Sequence, residues 1–223
     1  MAAAAGWRVF SNPAEFLLLL PPLLFALTVH EWSHGYTAMR LGDPTARLLG
    51  RLTLNPLAHL DPLGSILFLL PPHIGWAKPV PVDERYLNHP RRDMMWIALA
   101  GPVSNILLAL VFGTILRIIA AVPMEFSGPA ANAVVRMIGW SVVLNLSLAA
   151  FNMIPIFPLD GSRVLTGLLP PVQAERFRAF DAYGPMLLLG VIVLGSLGGV
   201  SVIGMIISPF VRTVGSLVTG GIL

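Results

Sequence analysis

The sequence predicts an all-α polytopic membrane protein with about four transmembrane helices, a re-entrant or partial segment and a short β-hairpin. Of its 223 residues, 56% are hydrophobic and only 11% are charged, whereas charged residues make up about 25% of ordinary soluble domains. Several apolar stretches also approach or exceed the roughly 20 residues that cross a bilayer as a helix. Most of them lack the polar face that a soluble helix carries at helical period.

The net charge and the absence of cysteine limit which partners the protein can bind and which residues can form a metal site. The net charge of +3 comes almost wholly from arginine, since Lys78 is the only lysine. In a membrane protein this balance reports topology, so the predicted partner is the lipid bilayer and not a nucleic acid. Cysteine is absent, which excludes disulfides and thiolate metal ligands. The sequence does not predict an oligomeric state.

Four apolar segments are predicted to cross the membrane, at about 16–39, 94–121, 137–159 and 183–211. Pro21 and Pro22 should bend or delay the first helix, because proline lacks the backbone donor and clashes with the preceding turn. We predict a single domain over residues 1–223, with a core at about 16–168 and a C-terminal transmembrane helix at about 183–211.

Three shorter segments lie between these spans. The stretch LLGRLTLN has the period-two pattern of a strand, which predicts a short hairpin at 47–55. Residues 64–76 are apolar, but Pro71 and Pro72 interrupt them, so this segment should enter the membrane only partly. Residues 160–181 are predicted to form a short amphipathic helix at the surface.

The basic residues predict which side of the membrane each loop faces. They follow the first span, precede the second and follow the third: Arg40, Arg47, Arg51, Lys78, Arg85, Arg91, Arg92, Arg163, Arg176 and Arg178. The loop at 122–132 has none. If residues 64–76 do not cross, all the basic loops lie on one side, which the positive-inside rule makes cytoplasmic. Four spans then leave both termini outside, and the composition is compatible with a bacterial or archaeal plasma membrane.

The first span contains HEWSH, an H-E-x-x-H motif. Residues four apart share one face of a helix, so His30 and His34 can both direct ring nitrogens at one ion. Glu31 is placed to act as a general base rather than as a ligand. Such a pair suits one Zn²⁺ per chain, which accepts imidazole nitrogen and keeps an open position in catalytic sites. Ionisable groups inside a span are costly and mark functional sites.

A catalytic zinc usually has three protein ligands, and without cysteine the third must be His, Asp or Glu. The strongest candidate is Asp160, in FNMIPIFPLDG at the end of the third span. Two prolines before it interrupt the helix, and Gly161 after it permits a sharp turn. Asp160 is at the cytoplasmic end of the third span, and His30 lies about 15 Å from Arg40, at the cytoplasmic end of the first, at 1.5 Å per residue. Both His30 and Asp160 therefore fall in the cytoplasmic half of the membrane.

The motifs HEWSH, AGPVSN and NMIPIFPLDG, in this order, resemble those of the site-2 protease family of intramembrane zinc metalloproteases. The resemblance implies that His30, His34 and Asp160 bind zinc and that Glu31 is the catalytic glutamate. Asn152 matches an asparagine that the family associates with substrate or transition-state contact. The family's fold is a core of three transmembrane helices, whose active site is reached from the cytoplasmic side through a water-filled cavity.

The resemblance also implies an activity, the hydrolysis of peptide bonds in or near transmembrane segments of membrane-protein substrates. The chain has no recognisable PDZ or CBS domain, which sets it apart from larger family members. A substrate helix would have to be presented extended, and the hairpin at 47–55 is our candidate for the strand edge that receives it. Two other functions stay open: a catalytically silent protein that binds membrane helices, and a metal or proton transporter.

Other polar residues have a plainer interpretation. Asn105, in AGPVSN, and Asn145 are predicted to link helices by hydrogen bonds worth about 1 kcal/mol. Gly101, in the same motif, should allow close helix approach or a bend. The remaining histidines are predicted to be loop or surface residues rather than ligands: His59, His73 and His89.

Overall fold

The computed structural model describes residues 12–70, 73, 75–122, 128–197 and 201–222. These residues form nine α-helices and three short 3₁₀ turns, and none of them belongs to a β-strand. The helices are α1 Pro13–Arg40, α2 Thr45–Leu48, α3 Pro62–Leu69, α4 Pro90–Ala121, α5 Pro129–Asn152, α6 Asp160–Leu168, α7 Pro171–Arg178, α8 Gly184–Leu197 and α9 Val202–Thr219. The 3₁₀ turns are Pro56–His59, Glu84–Tyr86 and Asp181–Tyr183.

Five helical stretches are long and apolar enough to cross a membrane: Pro13–Arg40, Pro90–Ala121, Pro129–Asn152, Pro171–Gly195 and Val202–Thr219. Large apolar side chains remain exposed along them, as at Leu107, Leu110 and Val111 on α4. Exposed apolar surface of this extent is typical of a surface that lipid covers. The fold is therefore that of a helical integral membrane protein, as predicted.

The last predicted span is two helices in the structure. We predicted one helix at 183–211, whereas α8 ends at Leu197 and α9 begins at Val202. The hydroxyl of Ser201 accepts the N–H of Gly204 at 2.9 Å, which caps the start of α9. The sequence between the helices is rich in glycine, a poor helix former. The described residues therefore contain five candidate spans where we predicted about four.

The predicted β-hairpin at 47–55 is wrong. This part of the chain begins instead with the single helical turn of α2, where the Asp43 carboxylate accepts both the N–H and the hydroxyl of Thr45. The N–H of Arg51 then donates to the carbonyl of Ala46 at 2.8 Å. The Arg51 N–H, which a hairpin would pair across strands, is thus bonded within the turn. Local hydrogen bonds therefore override the alternating hydrophobic pattern of the sequence.

Residues 64–76 do not form a spanning helix in the part that the structure describes. Helix α3 has eight residues and is about 12 Å long, well short of the roughly 30 Å of a bilayer core. A Cβ on Gly64 would lie 3.0 Å from the backbone nitrogen of Trp76, so the chain returns close to its start. Pro71 and Pro72 lie outside the described residues. Partial insertion of this segment stays a prediction.

Two further boundaries differ from the prediction. Helix α1 begins at Pro13 and continues through Pro21 and Pro22, so the predicted delay is absent. The third predicted span ends at Asn152 rather than at 159, ahead of the two prolines of NMIPIFP. The predicted surface helix at 160–181 is the pair α6 and α7, interrupted before Pro171.

The chain divides into two compact units. The first contains α1 up to Ala26, Asn105–Phe151 and Ser201–Leu223, around a buried apolar cluster of Ala109, Leu116, Val142 and Leu146. Asn105 and Asn145 are fully buried in this unit, and the Asn105 amide donates to Asn145 Oδ1 at 2.8 Å and to the carbonyl of Ala26 at 3.3 Å. As predicted, this pair links helices by hydrogen bonds.

The second unit contains Leu27–Ser104 and Asn152–Val200. Its buried apolar cluster consists of Ala38, Leu87, Met94 and Ile97. This cluster joins the last turns of α1, the loop before α4 and the first turns of α4. All the residues predicted to bind metal or to act in catalysis belong to this unit.

Candidate metal centre

Three side chains of the second unit converge. His30 and His34 lie one turn apart on α1, and Asp160 is the first residue of α6. The two Nε2 atoms are 3.0 Å apart. Asp160 Oδ2 lies 3.2 Å from Nε2 of His30 and 3.3 Å from Nε2 of His34. The three atoms therefore form a nearly equilateral triangle, and no other such group of three occurs within the described ranges.

This triangle has the size that a zinc ion requires. Tetrahedral zinc with bonds of 2.0–2.1 Å separates its ligand atoms by about 3.3 Å. Asp160 Oδ2 is buried and makes no hydrogen bond of good geometry, although a buried carboxylate oxygen is costly without a partner. An ion bound by the three atoms would satisfy it. Two imidazoles and one carboxylate are also a donor set found in catalytic zinc sites.

A hydrogen bond on its far side orients the His34 ring. Its Nδ1 lies 2.7 Å from the carbonyl oxygen of Ile97. A carbonyl oxygen only accepts, so Nδ1 carries a proton, and loss of the other ring proton would present the Nε2 lone pair to the cluster. Burial alone would raise the pKa of Asp160, but the adjacent His34 and His30 rings, when protonated, outweigh it and hold that pKa below its ordinary range. Asp160 is therefore ionised, as a metal ligand must be.

Glycines place the ligands on both sides of the centre. A Cβ on Gly161 would lie 2.7 Å from the carbonyl oxygen of Ile154, so α6 begins close against the chain that leaves α5. A Cβ on Gly101 of α4 would lie 2.5 Å from Nε2 of His34 and 2.6 Å from Cε1 of His30. The predicted close approach at Gly101 is therefore an approach to the two histidines, with no room for a side chain.

Glu31 and Asn152 border the same cavity as the three converging side chains. This cavity has a volume of about 150 Å³. Its walls are His30, Glu31, His34, Pro79, Val80, Val82, Ile97, Ala98, Asn152, Pro158, Asp160 and Arg163. Oε2 of Glu31 accepts the backbone N–H of Val80 at 2.8 Å. The structure thus brings all five residues predicted from the sequence around one space, and their chemical roles stay predictions.

Sequence reasoning missed two contributors to this cavity. Arg163 was interpreted as a topology determinant, yet it borders the cavity and also a neighbouring one of about 200 Å³. Its spacing of three residues from Asp160 on α6 is the signal that places both on one helix face. Val80 contributes through its main chain, for which the sequence carries no signal.

The other histidines lie apart from the cluster, as predicted. His59 is in a loop but is buried, with Nε2 at 2.8 Å from the carbonyl oxygen of Thr53. His73 approaches the carbonyl oxygen of Phe68 through Nδ1 at 3.0 Å. His89 borders a shallow surface pocket next to Pro90.

Comparison with known proteins places the chain in a class. The model of peptidase family M50 matches residues 113–194, a range that includes Asn152 and Asp160 but not HEWSH. "Putative zinc metalloprotease YwhC" of Bacillus subtilis is 39% identical over 180 residues, which cover 80% of this chain and 82% of that protein. "Putative zinc metalloprotease Rip2" of Mycolicibacterium smegmatis is 27% identical over 87% of this chain and 74% of that protein.

A third similar protein is archaeal. "Zinc metalloprotease MJ0392" of Methanocaldococcus jannaschii is 26% identical over 74% of this chain and 38% of its own length. No solved structure matches the chain. The matches show that this membrane protein is a zinc metalloprotease. More particularly, the chain belongs to peptidase family M50, the site-2 protease family.

Proposed function

We propose that this protein is an intramembrane zinc endopeptidase that hydrolyses peptide bonds in or near the transmembrane segments of membrane proteins. The observation that carries the proposal is the triangle of His30, His34 and Asp160, with Glu31 beside it on α1. This helix is apolar and long enough to cross a bilayer. A hydrolytic centre on such a helix suits a substrate that is itself in the membrane.

The chain's own residues divide the work of hydrolysis. His30, His34 and Asp160 would hold zinc, which when bound supplies Lewis acidity toward water and the scissile carbonyl. Glu31 takes the proton of the attacking water and returns it to the leaving nitrogen. The Val80 N–H donates to Oε2, which leaves both lone pairs of Oε1 for this proton. Asn152 borders the cavity, and its amide would donate to the oxyanion that develops on the substrate.

The size of the cavity constrains the form of the substrate. An α-helix with its side chains is about 10 Å across and does not fit a space of about 150 Å³. The scissile bond therefore reaches Glu31 only after the substrate helix has unwound locally. The strand edge first suggested for receiving it, at 47–55, is a turn in the structure.

The cytoplasmic side of the plasma membrane is the proposed location of the centre. The loop before α4 borders the cavity through Pro79, Val80 and Val82. This loop contains Lys78 and Arg85, and the first turn of α4 directly after it contains Arg91 and Arg92. The positive-inside rule favours the cytoplasm for such a loop.

The first test is the zinc content of the purified chain. Wild type prepared without chelators should contain about one zinc per chain, and Asp160→Ala should lose most of it because one of three ligands is gone. Asp181→Ala, which removes an exposed aspartate, is the matched control and should keep its zinc. A zinc-free wild type would remove the basis of the proposal.

The second test separates catalysis from binding or transport. Glu31→Gln should retain zinc while cleavage of a membrane-embedded test helix falls by about 10²–10⁴-fold, the usual contribution of a general base. A silent helix-binding protein would show no cleavage in wild type either. A transporter would instead carry zinc into proteoliposomes without proteolysis.

A further inference from the structure

We infer that residues 77–83 are a positioning segment for the catalytic glutamate, with the main-chain N–H of Val80 holding the Glu31 carboxylate beside the metal ligands. The inference rests on the proposed function, because it requires Glu31 to be the general base. Val80 touches Glu31 and not the reacting atoms, so it is a positioning residue.

The contact between Val80 and α1 is close and buried. Val80 N–H donates to Glu31 Oε2 at 2.8 Å, the one hydrogen bond that the carboxylate receives from the described residues. The Val80 side chain is 8% exposed, and a Cβ on Gly35 would lie 2.9 Å from its Cγ1. Glu31 and Gly35 are four residues apart and share one helix face. Because Gly35 has no side chain, the Val80 side chain can pack against α1 one turn from Glu31.

The positioning segment is tied down before Val80. The Arg51 guanidinium donates to the carbonyl oxygen of Lys78 at 2.9 Å and to that of Pro79 at 3.3 Å. The N–H of Lys78 donates to the carbonyl of His59 at 2.8 Å. These bonds fix the chain on the N-terminal side of Val80.

A buried aspartate ties the segment down after Val80. Asp43 has no exposed surface, and its Oδ2 accepts the N–H of Asp83 at 2.8 Å. The N–H of Asp43 donates to the carbonyl of Ala38 on α1 at 2.9 Å. The far end of the positioning segment is therefore fixed to the same helix that carries Glu31.

The prolines on either side of Val80 suit a fixed support. Pro79 and Pro81 have restricted φ angles, so the segment loses less conformational freedom when it is held in place. They also lack N–H groups. Residues 79 and 81 therefore offer no backbone donors to a substrate strand. The segment is thus poorly built to receive a substrate by strand addition.

Holding the carboxylate matters because a free glutamate side chain samples many rotamers. A displacement of about 1 Å in a catalytic group costs up to about 100-fold in rate. Loss of the Val80 N–H should therefore lower kcat and leave substrate binding and zinc binding intact.

The experiment compares Val80→Pro, which removes the donor, with Val80→Ala, which keeps it. Cleavage of a membrane-embedded test helix, zinc content and Tm would be measured for each full-length variant. We expect kcat of Val80→Pro to fall about 10–100-fold with KM and zinc unchanged. Val80→Ala should lose several-fold less kcat, since only packing against Gly35 is reduced.

Hydrogen exchange tests the contact without any activity measurement. The stretch 78–82 has only three exchangeable amides, because residues 79 and 81 are prolines. In Glu31→Ala the acceptor of the Val80 amide is gone, so this amide should exchange faster, whereas the Lys78 amide, which donates to His59, should not. Arg51→Ala, which releases the carbonyls of Lys78 and Pro79, should lower kcat less than Val80→Pro does, again with KM unchanged.

Several results would overturn the inference. Val80→Pro with wild-type kcat, or with higher kcat because the segment blocks the cavity, would do so. If Val80→Pro fails to fold, unchanged kcat in Arg51→Ala or unchanged exchange in Glu31→Ala decides against it. A wild type that binds zinc but cleaves no substrate overturns the proposed function itself. A wild type that cleaves the test helix, together with a Val80→Pro variant of unchanged kcat, overturns only the inference.

Discussion

Gly101, which has no side chain, limits the space around the proposed metal ligands. Gly101 lies against the rings of both His30 and His34, and a ring already held by the carbonyl of Ile97 has little freedom to move aside. A larger residue at position 101 would therefore displace the rings and change the distances between the three donor atoms. The identities of the donors could be read from HEWSH and PLDG, whereas this contact could not.

Gly101→Ala should weaken zinc binding about 10–100-fold, the range seen when the surroundings of metal ligands are disturbed. The added methyl would displace one or both histidine rings. Zinc competition with a chelator measures the affinity. Gly190→Ala is the matched control, since a Cβ there meets nothing within 4 Å in α8. Wild-type affinity in Gly101→Ala would mean that the rings can shift and still bind the ion.

At the residue level, sequence reasoning was most specific where a side chain has one chemical use. Two histidines and a glutamate within an apolar helix are too costly to be kept without a functional role, and the structure brings the histidines to Asp160 across more than a hundred residues of sequence. Sequence reasoning did not identify Val80 or Arg163 as residues that line the cavity. The first acts through a group that every residue except proline shares, and the second resembled the other basic residues that set topology.

At the scale of elements, the long helices followed from composition and the short ones did not. The apolar runs predicted α1 and α4 to within four residues at each end, whereas α5 begins eight residues and ends seven residues earlier than predicted. The alternating stretch at 47–55 became a turn because Asp43 accepts the N–H and the hydroxyl of Thr45 at the start of α2, and the N–H of Arg51 donates within the turn. Short segments are decided by one or two such hydrogen bonds, and hydropathy does not report them.

The Asn105–Asn145 hydrogen bond should couple helices α4 and α5. A double-mutant cycle with Asn105→Ala and Asn145→Ala should give a coupling free energy of about 1 kcal/mol in detergent. Each single variant should keep its zinc, because both asparagines belong to the other unit. Asn132→Ala, at an exposed position of α5, controls for loss of an amide. A coupling near zero would leave the pair without a linking role.

At the scale of the whole molecule, the number of crossings decides the orientation of every loop. Five helices are long and apolar enough to span, whereas four were predicted because the last apolar run was treated as one helix. Helix α9 starts at a serine cap, which hydropathy averaged over a window of residues does not detect. The sidedness of the loops before these helices rests on arginine placement.

The absence of cysteine makes this orientation directly testable. Single-cysteine variants Asn88→Cys and Asn132→Cys place a thiol at exposed positions, one in the basic loop before α4 and one in the first turn of α5. In intact cells an impermeant maleimide should label position 132 only, and position 88 should react after permeabilisation. Labelling of both from one side would contradict the proposed cytoplasmic centre.

The hydrogen bond from Val80 to Glu31 has a consequence for how tolerance to substitution is interpreted in this protein. Its donor belongs to the peptide unit, so exchanging the side chain at position 80 leaves it in place. An alanine scan would therefore understate a position on which, by our inference, the rate of the enzyme depends. In a saturating library, position 80 should accept the residues that fit against Gly35 and reject proline even though prolines stand on both sides of it.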